Sequence, residues 1–122
     1  MRSCFVFGSN EAGIHCSGSA LAAKQSHGAI EGQGVGWQGD SYAIPTLSTQ
    51  FRQLPLTDIA RHVANFLRYA VNHRNTSFNV VAIGCGVAGF TPHQIAPMFA
   101  GAPKNVNLPP EFQDILQGEC HA

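Results

Sequence analysis

The residues of this sequence best suited to chemistry are the run Gly84-Cys85-Gly86-Val87-Ala88-Gly89, a GxGxxG pattern. It follows an apolar stretch and precedes Thr91-Pro92, a pair suited to opening a helix. Glycines at that spacing let backbone N–H groups approach an anion closely. A helix N-terminus behind such a loop adds a positive dipole. The run therefore points to a phosphate-bearing, nucleotide-like ligand. The rival reading is a tight strand-to-helix turn that needs glycine only for its backbone angles. A standard dinucleotide fold is not indicated. Only one further strand follows, and Asn105 and Asn107 stand where an acid would hold a ribose.

A second junction of the same kind lies near the start. Gly8, Ser9 and Asn10 follow the apolar residues Cys4-Phe5-Val6-Phe7, and Ser17-Gly18-Ser19-Ala20 leads into a helix. Ligands of open α/β sheets bind beyond the carboxyl ends of strands, so two such loops side by side can clamp a diphosphate. The candidate ligand-binding set from the first junction is Gly8, Ser9, Asn10, His15, Ser17, Gly18, Ser19 and Ala20. Ser9 and Asn10 are suited to hydrogen-bond a ribose or base. The second junction adds Gly84, Cys85, Gly86, Val87, Ala88, Gly89 and Phe90. Trp37 and Tyr42 flank a glycine-rich middle stretch and are candidates to stack on a base, Trp37 the better of the two.

No catalytic residue is assigned. Cys85 or Cys16 could act as a nucleophile with His15, His27 or His93 as base, but no spacing selects one histidine. Cysteine in a tight loop is more often a small space-filler. The loop carboxylates Glu11, Glu31 and Asp40 read as solvated, one of them free to meet a ribose hydroxyl or base amine. The pairs His15-Cys16 and Cys120-His121 are adjacent residues, which rarely ligate one ion together, so no metal and no cofactor are expected. Lys24 and Lys104 lie outside any GK[ST] context, which argues against a Walker-type NTPase.

These loops need a scaffold, and 122 residues fit one domain spanning residues 1–122. Strands are expected over residues 4–7, 41–44, 78–83 and 105–108, the third buried on both faces. Helices are expected over residues 20–25 and 56–71, from Pro92 with Ile95, Met98 and Phe99 inward, and over 111–116. Residues 28–39 hold too much glycine for regular structure and read as a functional or mobile loop. Alternating strands and helices imply an α/β fold with a mostly parallel or mixed central sheet and helices on both faces. Charged residues are 11% of the chain and the formal net charge is zero. That leaves no electrostatic footprint for duplex nucleic acid or an anionic membrane. No run approaches the ~18 apolar residues of a membrane span. The opening apolar run is too short for a signal peptide, and the four cysteines show no CxxC pair, so a cytoplasmic protein with free thiols is expected.

Several of these motifs carry a resemblance. Val6-Phe7-Gly8-Ser9-Asn10, Ala12-Gly13, His15, Gly32-Gln33-Gly34, Tyr42-Ala43-Ile44-Pro45-Thr46 and Ile83-Gly84-Cys85-Gly86 resemble macrodomain-like proteins of phages and bacterial genomes. The resemblance implies a compact three-layer macrodomain-like fold. It also implies an ADP-ribose-like or cyclic nucleotide ligand, its phosphates wrapped by an early and a late loop. The branch that removes ADP-ribose from proteins carries Asp two residues after Gly-Cys-Gly, where this chain has Ala88. That branch also uses a Lys near the strand before its long helix, and residues 42–46 contain none. The resemblance therefore implies binding without turnover. A phage-encoded form would act as a sponge for an immune signalling nucleotide in the host cytoplasm. The alternatives are an ADP-ribosyl or nucleotide hydrolase using His15, Asp40 or Cys85, and an interaction protein with a vestigial pocket. The chain is short for the family, which implies an adenine pocket that is either reduced or completed by a second subunit of a homo-oligomer.

Overall fold

A computed structural model describes the backbone of residues 2–120 and the side chains of residues 2–118. The Cys120-His121 pair therefore lies outside the described side chains. The chain forms a mixed five-stranded sheet in the order β2-β3-β1-β4-β5. The strands are β1 (Arg2–Asn10), β2 (Gly36–Gln38), β3 (Ser41–Leu47), β4 (Thr76–Val80) and β5 (Val106–Asn107). β1 lies at the centre and pairs in parallel with both β3 and β4. β5 is parallel to β4, and only β2 is antiparallel, to β3.

Helices cover both faces, as expected. Helix α1 (Gly18–Ser26) carries the chain from β1 to β3, and α2 (Leu56–Val71) carries it from β3 to β4. Phe7 and Ala43 face α1 and pack with Ala20 and Ala23. Val6, Tyr42, Ile44 and Phe78 face the other way and form the larger core with α2. Ile59, Val63, Phe66 and Ala70 of α2 are fully buried at helical spacing. Phe66 meets Tyr42 and Phe78 edge-on at 5.0 and 5.4 Å, the geometry that aromatic quadrupoles favour. A short helix α3 (Pro92–Ile95), a 3₁₀ turn (Ala96–Phe99) and α4 (Pro110–Cys120) close this layer. No described helix is long and apolar enough to cross a membrane.

Several elements differ from expectation, each for a local reason. β1 runs on through Gly8, Ser9 and Asn10, because β3 supplies pairing partners as far as Leu47. Those residues end a strand and do not begin a loop. β4 stops at Val80, and Asn79 is exposed, so this strand is buried on one face only. The Val81 N–H still donates to the Val6 carbonyl of β1 at 3.1 Å, and the chain then turns out of the sheet, with the Ile83 N–H donating to the Val81 carbonyl at 2.7 Å. The helix expected from Pro92 is split, Pro97 falling where α3 gives way to the 3₁₀ turn.

The largest difference concerns residues 28–39, which contain β2 and are stitched in place. Gln33 Nε2 donates to the carbonyls of Val35 and Trp37 at 3.2 and 2.9 Å. Gln38 is buried, donates to the Gln33 carbonyl at 3.1 Å and accepts from the Ile30 N–H at 2.7 Å. The glycines here serve close backbone approach: a Cβ on Gly34 would stand 2.1 Å from the Asn10 carbonyl oxygen. The stretch buttresses the loop after β1.

Candidate functional site

The first crossover carries the chain from β1 to β3 on one side, and the second carries it from β3 back across β1 to β4, so the strand order reverses, at a switch point between β1 and β4. In α/β sheets a crevice opens at such a point, outside the carboxyl ends of the strands. A cleft of about 430 Å³ occupies that position. It is lined by Gly8, Ser9 and Asn10 from β1, Thr46 and Leu47 from β3, and residues 81–88 after β4. Cys16, Ser17, Gly18, Ser19 and Ala20, at the start of α1, form another wall. The volume suits a small-molecule ligand.

Two sets of unpartnered donors meet in this cleft. The first turn of α1 leaves its N–H groups open, as helix starts do. Gly18, Ser19 and Ala20 have no acceptor for theirs among the described residues. Ser17 is the N-cap in extended conformation, yet its hydroxyl makes no capping bond and is free for another partner. The second set is the turn after β4. The N–H groups of Cys85, Gly89 and Phe90 close it internally, onto Ala82, Gly86 and Gly84 at 3.1, 3.0 and 2.8 Å. Those of Gly84, Gly86, Val87 and Ala88 have no acceptor among the described residues. Gln53 Nε2 donates to the Ala88 carbonyl at 2.7 Å and pins the turn from outside. Gly86 has no positive φ, and a Cβ there would meet nothing within 4 Å. The fold itself therefore does not require glycine at this position; a ligand approaching the backbone would.

The cleft gathers Gly8, Ser9, Asn10, Ser17, Gly18, Ser19, Ala20, Gly84, Cys85, Gly86, Val87 and Ala88 of the residues named from sequence. Some of these have side chains committed elsewhere. The Ser9 hydroxyl donates to the Gly34 carbonyl. Asn10 donates to the Ile14 carbonyl at 2.8 Å and accepts from the Ile14 N–H at 3.0 Å. Their side chains order the loop, where the sequence suggested contacts to ribose or base.

The other named residues lie outside the cleft. His15 is 1% exposed, and its Nε2 sits 3.0 and 3.1 Å from the Ile30 and Gln33 carbonyls. It therefore carries its proton on Nε2 and bridges two backbone segments. Nδ1 is buried without a partner among the described residues. Tyr42 is core, packed between Phe66 and Tyr69. Phe90 is buried in the same core, and Gly89, at φ +80°, belongs to the turn and not to the lining. Trp37 sits on β2 at the opposite end of the sheet, with the Arg2 guanidinium 5.7 Å from its ring centre. The helix dipole expected behind residues 84–89 is also lacking, since α3 has a single turn and starts beyond Phe90 and Thr91.

Sequence reasoning missed Ile14, Thr46, Leu47, Phe51, residues 81–83 and Glu111, and it named Cys16 only as a possible nucleophile. Thr46 and Leu47 were within reach, because they end a strand adjacent to β1. Phe51 is half-exposed and holds φ at +61°, the one non-glycine residue with positive φ among those described. Such strain in a bulky residue marks a site worth attention. Glu111 comes from the start of α4, far along the chain, and no local signal marks it.

The chemistry available in the cleft is limited. Its lining contains no Lys, Arg or His. Burial, with Glu111 adding to it, pushes the Cys85 thiol above its ordinary range, so it stays protonated at neutral pH. Cys4, deeper in the sheet, is pushed up to about 12. Asp40 pairs with Arg2 at 3.0 Å, at the far end from the cleft. Glu31 is held below the usual carboxylate range by the His15 N–H and Lys24, also outside the cleft. Cys4, Cys16 and Cys85 are free thiols, and no group of three metal-ligating side chains is present among the described residues. A raised thiol pKa lowers the thiolate fraction at any given pH. Cys85 is therefore expected to react with iodoacetamide at pH 7.5 more slowly than a small free thiol. Peptide mapping of the alkylated protein measures this, and a rate equal to the free thiol's contradicts it.

No family model, curated protein or solved structure matches the chain. The macrodomain resemblance therefore rests on sequence motifs alone.

Proposed function

We propose that this chain is a macrodomain-like protein that binds a phosphate-bearing nucleotide, of the ADP-ribose or cyclic nucleotide type, without turning it over. One observation carries the reading. Two independent sets of unpartnered N–H donors, from the start of α1 and from the turn at 84–88, line one cleft at the switch point. Main-chain donors and a helix N-terminus are the means by which a chain poor in Lys and Arg can hold phosphate. In this reading each set takes one phosphate. Phe51 replaces Trp37 as the side chain against which a base stacks, with Ile14 and Leu47 as further apolar wall.

Binding without turnover is favoured by what the cleft lacks. His15 serves the fold, Asp40 is remote, and Cys85 is a protonated thiol without a histidine in the lining. Sequestration of a nucleotide signal fits such a site better than hydrolysis does.

Differential scanning fluorimetry against ADP-ribose, NAD and cyclic di- and trinucleotides tests the reading. A ligand at one hundred times its Kd adds ~2.7 kcal/mol, which raises Tm by several degrees. Mass spectrometry of the recovered ligand should return it unchanged. No shift with any of these ligands removes the binding proposal, and a cleaved product replaces it with the hydrolase alternative.

A further inference from the structure

The cleft treats charge in an unusual way for a phosphate site. Its ionisable lining consists of Cys16, Cys85 and Glu111, so the one formal charge it presents at neutral pH is negative. Glu111 stands in the first turn of α4 and has no ion-pair partner among the described residues. It lines the same cleft as Cys85, where its charge adds to the burial that pushes that thiol up. All attraction for an anion comes from neutral N–H groups and the dipole of α1.

We infer that Glu111 makes this cleft selective for phosphates substituted on both sides, by ester or anhydride bonds and each carrying one charge, over phosphates with a free terminal group. The inference rests on the reading of the cleft as a phosphate site and names the class of phosphate it takes. Neutral N–H donors can satisfy a singly charged diester oxygen. A terminal phosphate carries about −1.5 to −2 at neutral pH. The added charge gains little without a cation in the lining, and it is repelled by the Glu111 carboxylate. Glu111 is exposed, so the repulsion acts through a water-like dielectric and is screened by salt. The expected discrimination is therefore modest, about fivefold at low ionic strength. Phosphates substituted on both sides occur in nucleotide–sugar diphosphates, through one ester and one anhydride bond each, and in cyclic dinucleotides, as diesters.

The test is isothermal titration of the full chain and its Glu111→Gln variant with ADP and with the β-methyl ester of ADP. These probes differ in terminal charge and share every ring and hydroxyl. The wild-type chain should prefer the ester about fivefold at low salt. Glu111→Gln, a near-isosteric change at an exposed helical site, should shrink that preference below about twofold by tightening ADP more than the ester. Equal affinities in the wild type overturn the inference and leave the phosphate site standing. So does a preference retained in the variant. Parallel titrations with ADP-ribose and cyclic diadenylate identify the source by which one binds more tightly. If none of the four compounds binds either protein, the phosphate reading itself fails.

Discussion

Gly86→Glu is expected to weaken nucleotide binding by at least about 100-fold, a loss of ~2.7 kcal/mol, while Tm stays within about 2 °C of the wild type. The separation of the two effects follows from geometry. A Cβ at Gly86 meets no atom within 4 Å, and the residue does not hold a positive φ. The fold therefore tolerates a side chain there. The same side chain would lie on the turn whose N–H groups at 84, 86, 87 and 88 are unpartnered, and its carboxylate would oppose an anion. Gly84→Ala provides the contrast. Gly84 holds φ at +77°, and its Cβ would stand 3.3 Å from the Phe90 ring. That variant should lose stability as well as affinity. Calorimetric titration with ADP-ribose, beside thermal melts, separates the outcomes. Unchanged affinity in a folded Gly86→Glu protein would take this turn out of the site.

Local signals and long-range ones differed in how readably the sequence carried them. The α/β alternation, the long helix α2 and the two glycine-bearing turns are local patterns, and each is present, although β1 runs on through residues 8–10 and no long helix follows residues 84–89. Their meeting in one cleft follows from a topological rule, because both follow strands that pair with each other. Side-chain commitments were less legible. Asn10 and His15 look like ligand contacts in a loop sequence, but their partners are backbone groups of Ile14, Ile30 and Gln33. Trp37 looked like a base-stacking residue on a loose loop. β2 carries it to the other end of the sheet, and strand pairing across residues 36–43 cannot be read from glycine content. Glu111 shows the limit most clearly, since its place in the cleft depends on how α4 packs after every other element is set.

Gly34→Ala is expected to destabilise the protein by about 3 kcal/mol or more, or to prevent folding, although Gly34 lies outside the ligand cleft. The added Cβ would stand 2.1 Å from the Asn10 carbonyl oxygen and 3.2 Å from the Asn10 carbonyl carbon, both backbone atoms. Neither side can yield easily. The Gly34 carbonyl accepts from the buried Ser9 hydroxyl, and Asn10 is held at both ends of its amide by Ile14. The His15 ring lies between the carbonyls of Ile30 and Gln33 and braces the same two segments. A shift large enough to relieve the clash would break that bridge and part the buried Ser9 hydroxyl from the Gly34 carbonyl, at ~1–3 kcal/mol for a buried polar group left without a partner. Gly118→Ala serves as the control. It lies in α4, has no positive φ and would meet no atom within 4 Å, so it should stabilise by up to about 1 kcal/mol. Urea unfolding of both variants reads the difference. A Gly34→Ala protein that unfolds with the wild-type midpoint would mean that residues 28–39 do not buttress the loop after β1. Ligand affinity in any surviving Gly34→Ala protein should also fall, because the loop it displaces runs from Asn10 to the donors at the start of α1.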